Sequence, residues 1–469
     1  MSVRSADSLK RYHLTGIGGA GMCGLAQVLL QQGCRVSGSD LKPSAAIDAL
    51  CRAGAQVVLM QDGRGIPEAT EVVVASLAVA ELCPELVEAR RRGLEVIRYP
   101  EAVGRLMADK RGLCIAGTHG KTTVTAAVAF GLEHAHLDPT FIVGGDVPQL
   151  GERAHWGRGE WMIVEACEYQ RAFLAYRPEI AVITNVEAEH LDYYRDEADV
   201  VDAFAGFAAQ VSPQGLLVVC AQSANALAAA EHARCDVETY AVGAEADWIA
   251  TLVEGRPERA AQRFRLQHRG CDMGYMDLAL PGVHNVANAT AVVAVARRIG
   301  LDLEEVRDVM LKFRGAARRF EVVGCARGIT VVDDFAHHPT EVRALLDTAR
   351  REFPGRRLVC VFQPHQHSRT RAFLDDFANV LARADVCIVA PIYEARDTED
   401  DRRAVSAADV AAQATVRGGC VRHAASFDEV EAALENELRD GDVLLTVGAG
   451  DVWKIAKRIV RRLQRDHSN

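Results

Sequence analysis

The residues best suited to chemistry form the run "GTHGKTT", residues 117–123, between an apolar stretch and a helical pattern. The stretch "GLCIAG" predicts a strand, and "KTTVTAAVAFGLEHA" predicts the helix that it feeds. Backbone N–H groups at the start of such a helix attract an anion, Lys121 adds a positive charge, and the Thr122 hydroxyl suits Mg²⁺. The common phosphate-binding pattern has a glycine five residues before Gly120, where this chain has Ile115. The run therefore predicts a shortened nucleotide-phosphate loop with Gly117, Thr118, His119 and Gly120 as its turn.

Oxygen-bearing side chains follow two later strands of the same series. The strand in "WMIVEACE" ends with Glu165 and then Glu168, and the strand in "EIAVITNV" leads to Asn185, Glu187, Glu189, His190 and Asp192. In an open α/β sheet, ligands bind outside the carboxyl ends of the strands, where these groups would gather beside the loop. Carboxylates next to bound phosphates usually hold Mg²⁺. A lone histidine is more often a surface or core residue, but in this company we favour a metal or phosphate role for His190.

A second glycine motif lies near the amino terminus. Gly16, Gly18 and Gly21 give Gly-x-Gly-x-x-Gly between a predicted strand and helix, and Asp40 ends the next strand nineteen residues later. That spacing suits a diphosphate at a helix start and a ribose hydroxyl on the carboxylate. A tight turn without a ligand is the alternative, and the motif does not distinguish a nicotinamide dinucleotide from another diphosphonucleoside.

Two asparagines begin a later helix, in "PGVHNVANATAVVAVARRIG". Asn285 and Asn288 are three residues apart and so share one helical face, where a carboxamide can pair with the edge of a base. Capping of the helix by Asn285 is the alternative, and the two roles are compatible.

Polar residues collect again in the last third of the chain. Arg318 and Arg319 precede a strand that ends in Asp333 and Asp334 and is followed by His337 and His338. The stretch "HQHSRTR" supplies His365, His367, Arg369 and Arg371. Two histidine clusters invite a zinc site, but neither has helical i, i+4 pairing or cysteine partners. Recognition of a carboxylate by arginine is the favoured use.

Apolar strand patterns alternate with helical patterns along the whole chain, which predicts parallel sheets with helices on their faces. Three such series indicate an α/β protein of three domains: residues 1–110, 111–312 and 313–469, with seams near residues 107–112 and 311–320. The first and third are expected to be Rossmann-like, and the central one to have a P-loop ATPase-like parallel sheet.

Composition narrows the function classes. The 469 residues are 49% apolar and 25% charged, as in globular proteins, and the formal charge of −10 argues against a nucleic-acid partner. The thirteen cysteines contain no Cys-x-x-Cys pair, so we expect buried thiols rather than disulfides or zinc. No secretory signal and no membrane-spanning run is visible, which predicts a cytoplasmic protein without a membrane partner.

Taken together, these motifs resemble the Mur ligase family, ATP-dependent amide-bond formers of cell-wall synthesis. The matching stretches occur in family order from residue 16 to residue 452: "GIGGAGMCGLA", "GTHGKTTVTA", "VEACEYQRAFL", "VITNVEAEHLDYY", "PGVHNVANA", "RRFEVVG", "VVDDFAHHPTEVRA", "FQPHQHSRTR" and "LLTVGAGDV". The family's own loop is a short Gly-Thr-x-Gly-Lys-Thr form. The most similar branch joins L-alanine to UDP-N-acetylmuramate, with ATP and Mg²⁺ as cofactors, as a monomer or homodimer.

The resemblance implies a role for each matching position. ATP would be held by residues 117–123, including Thr123, and by Asn285, Asn288, Arg319 and Asp334. The metal would be bound by Thr122, Glu165 and His190, and catalysis would depend on Lys121, Glu165, His190, Arg319 and Asp334. The UDP-sugar would contact Gly16, Gly18, Gly19, Ala20, Gly21, Met22, Asp40, Ser76 and His119, and the amino acid would lie near His337, His365 and Arg369.

The expected reaction passes the γ-phosphoryl group of ATP to the lactyl carboxylate and lets the amine attack the resulting acyl phosphate. Three rival hypotheses remain: a family member with another amino acid or a recycled peptide as acceptor, a nicotinamide-dependent dehydrogenase, and a nucleotide-binding sensor.

The chain departs from the family pattern at three places. Cys167, Glu168 and Tyr169 replace the usual Asp-Glu-Ser, Phe335 replaces tyrosine, and Gln366, His367 and Ser368 replace Arg-Tyr-Thr. The last two changes fall near the expected amino-acid pocket and leave the acceptor open. A carbamylated lysine that bridges metals in several relatives is not expected, because Lys121 and Lys312 are the only lysines between residues 111 and 320.

Overall fold

The computed structural model describes residues 10–255 and 261–465, which form two compact units. The first unit takes its described residues from Met1–Glu187, Ala198–Ala279 and Ala287–Ala316. The second takes them from Ala188–Glu197, Leu280–Val286 and Ala317–Asn469. Three β-sheets organise these units, two in the first and one in the second.

The amino-terminal sheet is parallel and has the order β3-β2-β1-β4-β5. Its strands are β1 (Arg11–Thr15), β2 (Arg35–Ser39), β3 (Gln56–Val58), β4 (Val72–Ala75) and β5 (Glu95–Arg98). Its helices are α1 (Ala20–Gln31), α2 (Ala45–Arg52), α3 (Pro84–Arg91) and α4 (Tyr99–Met107). The strand order reverses between β1 and β4, so their carboxyl ends border a crevice of the kind that binds ligands in such sheets.

The central sheet has the order β15-β14-β13-β12-β11-β10-β6-β9-β7-β8. Its strands are β6 (Arg111–Ala116), β7 (Thr140–Ile142), β8 (Ala154–His155), β9 (Trp161–Glu165), β10 (Ile180–Ile183), β11 (Leu216–Cys220), β12 (Asp236–Val242), β13 (Trp248–Val253), β14 (Gln262–His268) and β15 (Cys271–Leu278). Its helices are α5 (Lys121–His134), α6 (Glu197–Ala208), α7 (Ala224–Ala230), α8 (Val283–Ile299) and α9 (Leu303–Lys312), with a 3-10 helix at Tyr169–Ala175. Because β6 pairs in parallel with both β9 and β10, the ends of these three strands meet at one edge.

The carboxy-terminal sheet has the order β16-β17-β21-β18-β19-β20 and is parallel except for β16. Its strands are β16 (Glu321–Ala326), β17 (Ile329–Asp334), β18 (Leu358–Phe362), β19 (Val386–Val389), β20 (Val421–His423) and β21 (Val443–Val447). Its helices are α10 (Pro339–Glu352), α11 (His367–Ala372), α12 (Leu374–Leu381), α13 (Glu399–Ala404), α14 (Ala407–Val416), α15 (Phe427–Glu437) and α16 (Trp453–Arg465).

Alternating residues of this last sheet enter two separate cores. Cys360 and Leu445 belong to one buried cluster, and their neighbours Val359 and Leu444 belong to the other. Both faces are therefore covered by helices, as the continuous apolar strands require. Helix α16 contributes Ile455, Ile459, Val460 and Leu463 to the second core, while its basic side chains face outward.

The prediction of an α/β chain with three sheets is confirmed. The antiparallel extension of the central sheet by β13, β14 and β15 was not predicted, although "RFRLQH" alternates polar and apolar residues as a half-buried strand does. The domain limits 1–110, 111–312 and 313–469 stay predictions. None of the helices in the described parts of the chain is long and apolar enough to cross a membrane.

Candidate active site

The predicted phosphate loop connects the end of β6 to the start of α5, and its backbone requires glycine at two positions. Gly117 and Gly120 have φ angles of +136° and +82°, in the region that favours glycine. A Cβ atom on Gly117 would lie 2.0 Å from the Thr184 Oγ1, and one on Gly120 would lie 2.7 Å from the Asn288 Oδ1. The sequence thus uses glycine where the chain turns and where two polar side chains approach the loop.

The loop is held from beneath by the end of β10. The N–H of Thr118 donates to the Asn185 carbonyl and the N–H of His119 donates to the Asn185 Oδ1, each at 2.9 Å. The Thr184 hydroxyl donates to the His119 carbonyl at 2.5 Å. Helix α5 starts directly afterwards, and its N-cap residue Gly120 offers no side chain to the first N–H groups of the helix. Those groups and the positive end of the helix dipole form a place for an anion.

Lys121, the first residue of α5, is paired with a buried carboxylate. Its Nζ lies 2.9 Å from the Glu168 Oε2 and donates to the Thr118 carbonyl at 3.1 Å. It also donates to the Gly117 carbonyl. Burial opposes the charge of the ammonium, but the carboxylates of Glu168 and Glu165 outweigh it and raise the pKa of Lys121. The ammonium is therefore charged at any physiological pH and lies beside the loop.

A second pair, Thr122 and Glu165, supplies oxygen ligands at the same helix start. The Thr122 hydroxyl donates to the Glu165 Oε1 at 3.0 Å, and the N–H of Gly144 donates to the Glu165 Oε2 at 2.8 Å. A Cβ atom on Gly144 would lie 2.6 Å from that carboxylate oxygen, so the carboxylate fills the space that a side chain would need. A hydroxyl and a carboxylate side by side are the hard oxygen donors that Mg²⁺ prefers.

The other residues that the sequence places at the phosphate loop make contacts within it or are buried beside it. The His119 Nε2 lies 3.2 Å from the Glu187 Oε2, and Thr118 and Thr123 are buried. Asn288, buried in α8, places its carboxamide against Gly120. Lys312 pairs with Asp308 at 2.6 Å at the exposed end of α9.

A cavity of about 660 Å³ lies at the crevice of the amino-terminal sheet. Gly16, Gly18, Gly19, Asp40 and Ser76 are among its lining residues. The Asp40 Oδ2 accepts from the N–H of Gly18 at 2.8 Å and its Oδ1 accepts from the N–H of Leu41 at 2.7 Å. Asp40 therefore fixes the glycine turn, and the ribose contact expected from the sequence stays a prediction.

Three further predicted residues of this region, Ala20, Gly21 and Met22, lie in α1. Within the described part of the chain they do not line that cavity. A Cβ atom on Gly21 would lie 2.9 Å from the Tyr99 ring, so this glycine allows α1 to approach α4. Met22 is buried.

In the second unit, Glu189 and Arg369 form a buried ion pair although 180 residues separate them. The Arg369 Nε donates to the Glu189 Oε1 at 3.1 Å, and its Nη1 lies 2.8 Å from the His365 Nδ1. Burial would raise the pKa of Glu189, but the Arg369 guanidinium lowers it below its usual range. Burial, together with Arg369, lowers the pKa of His365 to about 3. His365 is therefore neutral and accepts a hydrogen bond from Arg369.

A second histidine is neutral for a similar reason. Burial lowers the pKa of His337 to about 4 although Glu341 opposes the shift. The backbone N–H of His337 donates to the Glu341 Oε2 at 2.9 Å, and its ring centroid lies 5.8 Å from that of His365. The Arg319 Nη1 lies 3.6 Å from the Glu341 Oε1. Glu341 thus joins the two predicted residues Arg319 and His337.

Arg318 and Arg319 both place their guanidinium groups over the Phe335 ring, at 5.1 and 5.2 Å. Asp334, the next predicted residue, accepts from the N–H of Phe320 at 2.7 Å and from the N–H of Ala336 at 2.8 Å. Burial raises the pKa of Asp334 to about 6. In this unit Asp334 braces the turn that carries Phe335 and Arg319.

A cavity of about 400 Å³ in the second unit is lined by Glu189, His190, Gln366, Ser368 and Arg369, among others. His190 has a φ angle of +55°, and Gln366, at +68°, donates from its buried amide to the Ala395 carbonyl at 2.7 Å.

The other predicted residues of the second unit have mainly structural contacts. The His367 Nδ1 lies 3.0 Å from the Val405 carbonyl oxygen. Asn285 donates from its amide to the Pro281 carbonyl at 2.7 Å, a local bond at the start of α8 in which the side chain is the donor and not the acceptor that helix capping uses.

Three residues that shape these sites were not predicted: Gly144, Thr184 and Glu341. The sequence could have indicated Glu341, because it stands three residues after His338 and this spacing is typical of a capping box at the start of a helix, here α10. Thr184 and Gly144 act through packing against the loop and Glu165, which no local spacing reveals.

Comparison with known proteins identifies the family along most of the chain. The family models that match are "Mur ligase family, catalytic domain" at residues 11–111, "Mur ligase middle domain" at residues 115–296 and "Mur ligase, glutamate ligase domain" at residues 318–450.

Similar proteins and structures extend this result. The UDP-N-acetylmuramate–L-alanine ligase of Desulforamulus reducens is 39% identical over 97% of this chain and 98% of its own. The enzyme of that name from Mycolicibacterium gilvum is 40% identical, with 97% of each chain covered. The solved UDP-N-acetylmuramate-alanine ligase of Thermotoga maritima is 27% identical with a TM-score of 0.81, covering 97% of this chain and 99% of its own. With three family models in order and relatives similar over nearly their full length, the chain belongs to the Mur ligase family.

Proposed function

We propose that the protein joins L-alanine to the lactyl carboxylate of UDP-N-acetylmuramate at the expense of ATP, a step of peptidoglycan precursor synthesis. The observation that carries this proposal is the helix start of α5, where Lys121–Glu168 and Thr122–Glu165 pairs surround a glycine loop. The proposal is supported by relatives of that name that match this chain over nearly their full length.

The chemistry explains why such a site is needed. A carboxylate does not react with an amine in water, because an oxide ion would have to leave. Transfer of the γ-phosphoryl group of ATP to a carboxylate oxygen gives an acyl phosphate and ADP. The amine nitrogen then attacks the carbonyl carbon, the C–O bond to phosphate breaks, and the amine loses a proton as the amide forms.

In the proposed mechanism, the loop N–H groups and Lys121 bind the phosphates of ATP and stabilise the charge that develops during transfer. Thr122 and Glu165 would hold Mg²⁺, which supplies positive charge next to the transferred group. Asn288 beside Gly120 would contact the nucleotide from α8. Glu168 would release Lys121 to the phosphates, since one ammonium cannot serve both partners fully.

Residues of the second unit are assigned to ATP, to the metal and to the amino acid. Arg319, His190, Asn285 and Asp334 would act on ATP or the metal, and His337, His365 and Arg369 would surround the incoming amine. The imidazoles of His337 and His365 are uncharged at neutral pH, because burial lowers the pKa of each far below 7, so they would meet the incoming amino acid as neutral hydrogen-bonding groups. The cavity at the amino-terminal crevice would take the uridine diphosphate.

The test is the replacement Lys121→Ala, assayed by phosphate release with ATP, UDP-N-acetylmuramate and L-alanine. We expect loss of turnover, because the charge beside the phosphates is removed. Lys312→Ala is the matched control, since it is the other lysine between residues 111 and 320 and makes an exposed ion pair. Retained turnover in Lys121→Ala would refute the proposed site.

The same assay separates the rival functions. Replacing L-alanine by other amino acids or by a peptide identifies the acceptor, which the residues at Phe335 and Gln366 leave open. An absorbance change at the nicotinamide band would favour a dehydrogenase. Binding of ATP without any ADP production would favour a sensor.

A further inference from the structure

A fully buried polar pair joins β1 to α3 in the amino-terminal part of the chain. His13 in β1 and Glu85 in α3 have no exposed surface, and the His13 Nε2 lies 3.2 Å from the Glu85 Oε1. The His13 Nδ1 is 2.9 Å from the Ser37 Oγ. The Ser39 hydroxyl, also fully buried, donates to the Glu85 Oε2 at 2.5 Å. Helix α3 is thereby bonded to the carboxyl end of β2.

Ser39 also bonds to the glycine turn at residues 16–19. Its carbonyl oxygen accepts from the N–H of Gly16 at 2.9 Å and from the N–H of Ile17 at 3.0 Å. The next residue, Asp40, accepts from the N–H of Gly18 at 2.8 Å. Ser39 therefore connects the Glu85 carboxylate, through its hydroxyl, to the turn at one wall of the cavity, through its carbonyl and through Asp40.

Glu85 also belongs to the opposite wall. It stands in the first turn of α3, directly after the segment 76–83 that supplies Ser76, Val79 and Cys83 to the lining. The N–H of Leu86 donates to the Cys83 carbonyl at 2.9 Å, which joins that segment to the helix. Glu85 is therefore linked to both walls of the cavity, to the glycine turn through Ser39 and to segment 76–83 through the start of α3.

Buried apolar side chains lie around Glu85, so stability alone does not explain why a carboxylate occupies this position. Val73, Ala75, Leu86 and Ala89 form a buried apolar cluster on the same side of the sheet. A buried charge in such a place is costly unless it is paired, and a well-packed apolar side chain of similar size often stabilises as much or more. Burial raises the pKa of Glu85, but the bonds from His13 and Ser39 outweigh it and lower the pKa, so the group stays a carboxylate.

We propose that Glu85 is a positioning residue for the nucleotide-sugar substrate: through Ser39 it holds the turn at residues 16–19 at a fixed distance from the wall at residues 76–83. This inference rests on the proposed function of the cavity. Glu85 itself touches no substrate, and it acts on the binding of the diphosphonucleoside rather than on the ATP loop, which lies in another sheet.

The experiment compares Glu85→Leu, Ser39→Ala and the double variant with the wild type. Glu85→Leu removes the bonds but suits the apolar cluster, and Ser39→Ala removes only the hydroxyl that links α3 to β2. Glu88→Leu is the matched control, because Glu88 lies on the same helix and pairs with Arg91 at the surface. Calorimetry measures the Kd of UDP-N-acetylmuramate, and steady-state assays measure kcat and the KM for ATP.

We expect Glu85→Leu and Ser39→Ala each to weaken binding of UDP-N-acetylmuramate about 10-fold, the effect of one buried hydrogen bond. The kcat and the KM for ATP should stay within about two-fold, and the double variant should bind no more weakly than the weaker single variant, because both act through one link. Glu88→Leu should bind like the wild type.

Wild-type affinity in both single variants would overturn the inference, and so would parallel losses in kcat, in the KM for ATP and in Tm. If Glu85→Leu does not fold, Ser39→Ala decides by the same criteria. A wild-type protein that binds no UDP-N-acetylmuramate would overturn the proposed function of the cavity and this inference with it.

Discussion

Replacing Glu168 by glutamine removes the charge that faces Lys121 while preserving the size of the side chain. Glu168 is almost fully buried, and the side chain of Lys121 is 13% exposed. Breaking a buried ion pair by removing one partner typically costs about 3–5 kcal/mol, because the remaining charge has no counter-charge. Here Lys121 keeps the Thr118 carbonyl as an acceptor and Glu165 as a neighbouring negative charge. We therefore expect a smaller loss, about 2–3 kcal/mol in the free energy of unfolding.

That loss corresponds to a fall of about 4–12 °C in Tm for a domain of roughly 200 residues. The pKa of Lys121 is raised above its ordinary value of 10.5, so its pairing stabilises the fold fully below that pH and is lost only when the pH rises further. The difference between the variant and the wild type should therefore be constant between pH 6 and 9.

Thermal unfolding with and without ADP and Mg²⁺ is the assay. Phosphates supply Lys121 with a new counter-charge, so ADP should raise the Tm of Glu168→Gln by more than it raises that of the wild type. Glu160→Gln serves as control, because Glu160 makes an exposed pair with Arg111 that contributes little. A Glu168→Gln protein with wild-type Tm and a wild-type response to ADP would refute the assignment of Glu168 as the partner of Lys121.

Three further predictions concern the metal ligands and the buried histidine. Gly144→Ala should displace the Glu165 carboxylate, which an added Cβ would approach to 2.6 Å, and raise the Mg²⁺ concentration for half-maximal phosphate release by about 10-fold; an unchanged Mg²⁺ titration would contradict this. Thr122→Val should raise the Mg²⁺ concentration for half-maximal phosphate release by about 10–100-fold in the same titration. The Tm of this variant should change little. In the folded protein the pKa of His337 is about 4, below its ordinary value of 6.5. As the pH falls, the unfolded chain therefore takes up the proton first. The free energy of unfolding should then decrease by up to about 1.4 kcal/mol per pH unit from pH 6.5 towards 4. His337→Asn should reduce this slope in urea unfolding at several pH values, and an identical slope would show that another group is responsible.

The phosphate loop could be predicted from the sequence because its chemistry is local. Gly120, Lys121 and Thr122 are adjacent, and a strand and a helix must flank them for the amides to converge. Glu165 and Glu168 could also be predicted as neighbours, because the ends of parallel strands meet at one edge. Which of them would face Lys121 and which Thr122 could not, because that depends on how the 3-10 helix after β9 turns.

Sequence patterns do not predict two of the contacts described above, the ion pair of Glu189 with Arg369 and the hydrogen bond of Ser39 to Glu85. Their partners are separated by 180 and 46 residues, so only the complete fold brings them together. The sequence also gives no reason to single out Glu85, because it stands in the first turn of a polar helix, where the helix dipole ordinarily explains an acidic residue. Burial, not residue type, distinguishes it.

The bonds that Thr184 and Asn185 make to the phosphate loop have a consequence for turnover. They come from the chain itself, so the loop backbone is already fixed in one conformation by the folded protein. Ordering a residue costs about 1–2 kcal/mol in conformational entropy, which a mobile loop would lose at each encounter with a nucleotide. In this protein that entropy is lost once, when the chain folds, and each nucleotide that arrives meets amides that already point in their final direction.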